Sequence, residues 1–340
     1  MTKLAVASAA EFDRRLTDLP KPDEAACELA KVRQASLTKP EGSLGRLEEI
    51  ALWLAGWQGR EIPEIKQPCC LVFAGNHGVT AQGISAFPAE VTVQMVANFN
   101  AGGAAINQLA QLGGAAFQVI PLMLDQPTAD FTTAPAMSEE DCCGAIQAGI
   151  DAVPEDADFL LLGEMGIGNS TAAAALALAL FGGVAGDWVG KGTGLDSAGV
   201  AHKADVVDRA IALHKAKDLS PFDCLRTFGG RELAAIVGAV LVARYRRIPV
   251  MLDGFIVTAS AAILAACNPQ ALDHTMIGHM SSEPGHSRLT RLLNKRPLLD
   301  LDMRLGEGSG AAVALLIVQA ALAAHQGMAT FEQAEVSQHD

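Results

Sequence analysis

One acidic residue, Glu307, stands between glycines in the stretch MRLGEGSGAA, Met303 to Ala312. An apolar segment precedes it and a helical one follows, so its carboxylate belongs to a strand-end turn where flanking glycines leave it open to a ligand. A helix N-terminus would lower its pKa, whereas closure over an apolar ligand would raise it towards the range useful to a general base. Two further turns carry anion chemistry. GEMGIGNST (163 to 171) sets Gly163, Gly166 and Gly168 around Glu164 and Met165, with Asn169, Ser170 and Thr171 opening an Ala-rich helix. Free N–H groups at a helix start attract phosphate, and glycine lets it approach the backbone. VGKGTGLDSAG (189 to 199) repeats the theme with Gly190, Gly192 and Gly194, and Lys191 and Lys203 could neutralise the charge. There is no GK[ST] and no GxGxxG spacing at the first turn, so neither a Walker loop nor a dinucleotide fingerprint is present.

Other candidates have a structural reading of equal weight. His77 in GNHG is either a general base or a side chain that fixes its turn. Asp253 in MLDGF is placed to hold a ribose hydroxyl or the N–H groups of another loop. HMSSEPGH (279 to 286) has two histidines and Glu283, but its Pro-Gly spacing reads as turn chemistry rather than a ligand set. No CxxC occurs and no second His or Cys stands at ligand spacing from His77, so no metal or other cofactor is expected.

These turns need elements to carry them. Short apolar runs begin at residues 68, 116, 157, 248, 274 and 298, most of them ending in Gly-rich turns, with helix-like segments following. Alternation of this kind predicts an α/β fold, a doubly wound, mostly parallel sheet, with ligands bound beyond the carboxyl ends of the strands. The first sixty residues read instead as amphipathic helices. The expected division is N-terminal helices over 1–62, a catalytic α/β domain over 63–310, and a last helix over 311–340 that completes a small helical subdomain with the first.

Bulk properties bound the partners. Half of the 340 residues are hydrophobic, and the net charge of −13 argues against a nucleic-acid phosphate track. The apolar stretch 311–324 falls short of the ~20 residues that span a bilayer, so no membrane partner is expected. Seven cysteines without a framework spacing suit a reducing cytoplasm.

KPEGSLGRLE (39 to 48), GNHGV (75 to 79), PAEVT (88 to 92), GEMGIGNST, LDGF (252 to 255) and RLGEGSGAA (304 to 312), in this order, resemble the nicotinate-nucleotide:dimethylbenzimidazole phosphoribosyltransferase family. The resemblance spans nearly the whole chain. It implies a Rossmann-like sheet with a small helical domain from both termini, a homodimer, and no cofactor. It also implies a reaction: nicotinate mononucleotide and 5,6-dimethylbenzimidazole give α-ribazole 5′-phosphate and nicotinate, with inversion at the anomeric carbon, in assembly of the cobalamin nucleotide loop.

Matched residue by residue, the family's catalytic glutamate is Glu307. Its phosphate and ribose contacts fall on Glu164, Gly166, Gly168, Asn169, Gly192, Gly194, Lys203, Asp253, Ser281 and Gly306. The aromatic-base pocket is expected from His77, Phe87, Gln94, Met95, Met165, Arg304 and Leu305. Phe87 and Met95 stand where enterobacterial members carry serine and glutamine, with Gln94 one place before the latter, so dimethylbenzimidazole, adenine and a phenolic compound all stay open as the accepted base. Two readings from other classes remain beside the transferase: a non-catalytic nucleotide or phosphosugar sensor, and a phosphosugar isomerase or hydrolase using His77 as a second base.

Overall fold

The structure, a computed structural model, describes residues 4–337. Three helices come first: α1 (Ala9–Arg15), α2 (Glu24–Ser36) and α3 (Arg46–Gln58). Ser8 and Asp23 start the first two by accepting backbone N–H bonds from Glu11 and Ala26. The sheet then begins with β1 (Pro68–Ala74), followed by α4 (Glu90–Asn100), α5 (Ala105–Leu112) and β2 (Ala116–Pro121). Next come α6 (Glu139–Ala152), β3 (Phe159–Met165), α7 (Asn169–Phe181), α8 (Ser197–Leu213), α9 (Pro221–Phe228) and α10 (Arg231–Arg246). The chain finishes with β4 (Val250–Leu252), α11 (Phe255–Cys267), β5 (Thr275–Ile277), α12 (Pro284–Leu292) and α13 (Ser309–Gly327).

The five strands form one parallel sheet in the order β2-β1-β3-β4-β5. β1 and β3 are buried along their whole length, which is why they read as unbroken apolar runs. Alternate residues feed two cores. Cys69, Leu71, Phe73, Leu160 and Leu162 join the helices α6, α7, α9, α10 and α11 on one face. Cys70, Val72, Phe159, Leu161 and Met251 join α3, α4, α5 and α13 on the other. Helices on both faces make the sheet doubly wound, as the sequence predicts.

One expectation changes. The run at 298 does not become a sixth strand: Leu299 makes a single parallel bridge to His279, and beyond it, among the described residues, only the Met303 carbonyl bonds back, accepting the Ser282 N–H. Pro297 has no N–H to give a ladder, and Asp302 turns left-handed at φ 55°. The terminal helices lie on both faces of the sheet. α3 and α13 pack together and share one apolar cluster with β1, β3 and β4, whereas Phe12 of α1 packs on Phe222 on the opposite face. Residues 1–3 and 338–340 of the expected spans lie outside the described residues. α13 is long and apolar enough to cross a membrane by length and composition, but half of it is buried against the sheet and α3.

Candidate active site

The carboxyl ends of β3, β4 and β5 open onto a cavity of about 620 Å³. Its floor is the turn Glu164 to Ile167 with Asn169 and Ser170 of α7, and its roof is the segment Arg304 to Glu307. Phe87, Val91 and Met95 form one side, where residues four apart on α4 share a face. Gly192, Thr193, Gly254, Phe255, Ile256, His279, Ser281 and Glu283 complete it.

Glu307 occupies a backbone built for it by neighbours. It lies at φ 62° between Gly306 at 81° and Gly308 at 80°, three left-handed residues in a row. A side chain on Gly163 would overlap the backbone of Glu307 and Gly308, so the bare strand end lets this turn rest directly on β3. Asp253, fully buried at the end of β4, accepts N–H bonds from Gly308 at 3.1 Å and Ala311 at 2.9 Å. It therefore holds the start of α13, the second of its two expected uses. His279 Nε2 stands 3.6 Å from Asp253 Oδ1, and Gly310 leaves room for that ring.

The electrostatics decide what Glu307 can do. Burial, helped by the charge of Asp253, pushes its carboxyl up to about 7. The lowering expected of a helix start loses to desolvation. Glu164 is pushed up to about 8 by burial and by Asp253, with smaller contributions from Glu232 and Glu307, against a hydrogen bond donated by Asn169 Nδ2. Burial also raises Asp253, opposed by His279 and the α13 N–H groups. Near neutral pH the cluster thus holds a protonated Glu164 beside a Glu307 poised to take or release a proton.

The other end of the cavity is cationic. Lys203 Nζ donates to Ser170 Oγ at 2.8 Å, and Arg304 donates to the Gly192 carbonyl at 3.2 Å. Burial lowers Lys203 to about 8, with Glu283 acting to raise it. Ser281 donates its N–H to His286 Nδ1 at 2.9 Å. Burial depresses His286 to about 3, which keeps that ring a neutral acceptor.

Twelve of the site residues assigned by the resemblance line the cavity: Phe87, Met95, Glu164, Met165, Gly166, Asn169, Gly192, Ser281, Arg304, Leu305, Gly306 and Glu307. Six do not. Lys203 stands behind Ser170, and Asp253 behind the α13 turn. Gly168 caps α7 at φ 97°, and Gly194 lies in the loop before α8 at φ 122°. Gln94 points to solvent because the inner face of α4 carries Val91 and Met95. His77 is buried and faces away: its Nε2 lies 2.5 Å from Glu232 Oε1, which enters where Gly75 and Gly230 have no side chains. The isomerase or hydrolase reading accordingly loses His77, the second base it called for, from the cavity. Val91, Ile167, Phe255 and Ile256 line it without having been expected, since apolar residues at helix starts read as core. Among the described residues no group of three or more His, Cys, Asp or Glu could hold a metal ion.

Comparison with known proteins agrees with this geometry. A phosphoribosyltransferase family model matches residues 19–336. The nicotinate-nucleotide–dimethylbenzimidazole phosphoribosyltransferase of Ruegeria pomeroyi is 57% identical over 333 residues, 98% of each chain. That of Rhizobium meliloti is 54% identical over 327 residues, 96% of each chain. The crystal structure of CobT from Thermus thermophilus superimposes with a TM-score of 0.86 at 41% identity, covering 93% of this chain and all of that one. Fold, cavity and relatives lead to one conclusion: the chain belongs to the nicotinate-nucleotide–dimethylbenzimidazole phosphoribosyltransferase family.

Proposed function

We propose that the protein moves the 5-phosphoribosyl group of nicotinate mononucleotide to 5,6-dimethylbenzimidazole, giving α-ribazole 5′-phosphate and nicotinate with anomeric inversion, in assembly of the cobalamin nucleotide loop. The observation that carries this reading is Glu307, a buried carboxylate raised to about 7 on the wall of an aromatic-sized cavity. The donor's pyridinium ring is a leaving group already in place. One benzimidazole nitrogen attacks the anomeric carbon, the C–N bond to the pyridinium breaks, and its electron pair stays on the nicotinate nitrogen. The proton on the other benzimidazole nitrogen passes to Glu307. No further acid or base is required.

The surrounding residues suit the two substrates. Phe87, Val91, Met95, Met165, Ile167 and Phe255 offer apolar surface to a methylated flat ring, and adenine's exocyclic amine would be left without an acceptor on that wall. Ser170, Arg304 and, behind them, Lys203 supply donors and charge for the phosphate, and Gly192 leaves its approach free of a side chain. Glu307 borders the region where a departing pyridinium leaves positive character on the sugar, and its preorganised carboxylate there favours the transition state. The test is nicotinate release from nicotinate mononucleotide with dimethylbenzimidazole, adenine and a phenol as acceptors. Dimethylbenzimidazole should be the preferred base, and Glu307→Gln should lower kcat by about a hundredfold or more. Undiminished turnover in that variant would refute the general-base role.

We also infer a homodimer in a reducing cytoplasm, with neither nucleic acid nor membrane as partner. The unpaired state of all seven cysteines supports the compartment. Phe87 and Leu305, each more than half exposed at the cavity mouth, support a second copy beside it. The helices within 1–62 and 311–340 are proposed as the small subdomain flanking the catalytic sheet of 63–310.

A further inference from the structure

Glu283 precedes α12 and is nine-tenths buried, in a wall shared by the active cavity and a second cavity of about 490 Å³. Its Oε1 accepts the N–H of Gly192 at 3.0 Å. Its Oε2 has no hydrogen-bond partner among the described residues and lies against Gly190, where any side chain would collide with it. Lys203 reaches the same loop from α8. Its Nζ is 3.5 Å from the Gly190 carbonyl and 3.3 Å from where a Cβ on Gly192 would stand. An acid and a base from two different helical elements thus grip residues 190–192.

Of the other charges near Lys203, Lys191 lies exposed on the gripped loop itself. α7 contributes no ionisable side chain, and Asp187 in the turn at 185–187 is paired with Arg288. Arg304 is bonded to the Gly192 carbonyl across the loop. Burial drives the ammonium towards losing its proton, and the Glu283 carboxylate opposes that loss.

Building on the donor assignment above, we propose that Glu283 is a positioning residue for the phosphoribosyl donor: it clamps the loop 190–192 and supplies the counter-charge that lets Lys203 meet the donor's phosphate as an ammonium. The phosphate is remote from the bond that breaks, so the effect falls on donor binding rather than on the chemical step.

Glu283→Gln keeps an acceptor for the Gly192 N–H and removes only the charge. KM for nicotinate mononucleotide should rise about fivefold at pH 8 while kcat changes by less than about twofold, and the alkaline loss of donor affinity should move about one pH unit lower. Glu283→Asp keeps the charge and should keep the wild-type profile. Superimposable profiles for wild type and Glu283→Gln would overturn the proposal, as would an equal displacement in Glu283→Asp. Should Glu283→Gln not purify folded, Lys203→Arg decides: a guanidinium never deprotonates in this range, so the alkaline limb must vanish, and its persistence overturns the proposal. A wild-type protein that released no nicotinate would refute the donor assignment instead. Calorimetric titration of ribose 5-phosphate into wild type and Glu283→Gln across the same pH range would then test the Glu283–Lys203 link without turnover.

Discussion

Glu307 and Glu164 share one cavity but meet protons differently. A base must be deprotonated to act, and burial sets Glu307 near 7, so kcat/KM should fall about tenfold per pH unit below that value. Glu307→Gln should lose both the rate and this acid limb, which a pH–rate profile reads directly. Glu164 makes the opposite kind of statement, about stability. Its pKa rises from an ordinary 4.5 to about 8 on folding, so the folded state favours its protonated form. The stability this contributes is complete below about 4.5 and is lost as pH rises through about 8. Glu164→Gln should therefore raise Tm by a few degrees at pH 8 to 9, on the order of a few kcal/mol, with the gap closing near pH 5. A thermal scan at the two pH values checks it. Both glutamates were legible in the sequence because glycines flank them. Glu232 was not: it sits in a helix start that reads as ordinary, and only the packing of Gly75 and Gly230 reveals that it enters beside His77.

At the scale of elements, β3 and the start of α13 form one unit. Gly163→Ala would drive a methyl group into the Glu307–Gly308 backbone, and neither a strand end nor a capped helix start can yield cheaply. Stability should drop by about 2 kcal/mol, with nicotinate release falling further than loss of folded protein explains. Denaturant melts and assays on the same preparation separate the two. Strands β1 and β3 were readable from their apolar runs, because burial on both faces leaves no polar alternation to confuse the pattern. The run at 298 looked the same but failed as a strand. Periodicity does not record that Pro297 lacks a donor or that Asp302 turns left-handed. On α4, the exchange of Gln94 for Val91 beside the expected Met95 followed from helix phase, which the irregular stretch before Pro88 hid.

For the whole molecule, the convergence of distant glycine turns was legible because a parallel sheet sends all its strand ends to one side. The sharing of one core by the terminal helices and the sheet was not, since apolar pattern says which face is buried but not against what. The open mouth at Phe87 and Leu305 bears on assembly. Light scattering should give about twice the chain mass, 2 × 35.4 = 70.8 kDa, and a stable 35.4 kDa species at assay concentration would refute the homodimer.

The left-handed backbone at 306–308 has a consequence for redesign. An L-residue in that conformation costs roughly 1–2 kcal/mol relative to glycine, and a β-branched side chain is excluded. Laboratory evolution selecting for robustness alone would drift towards glycine at 307 and discard the base, because folding and chemistry ask for different residues there. Selection for turnover has only a narrow set of replacements to explore, with aspartate the one other carboxylate that such a turn tolerates well.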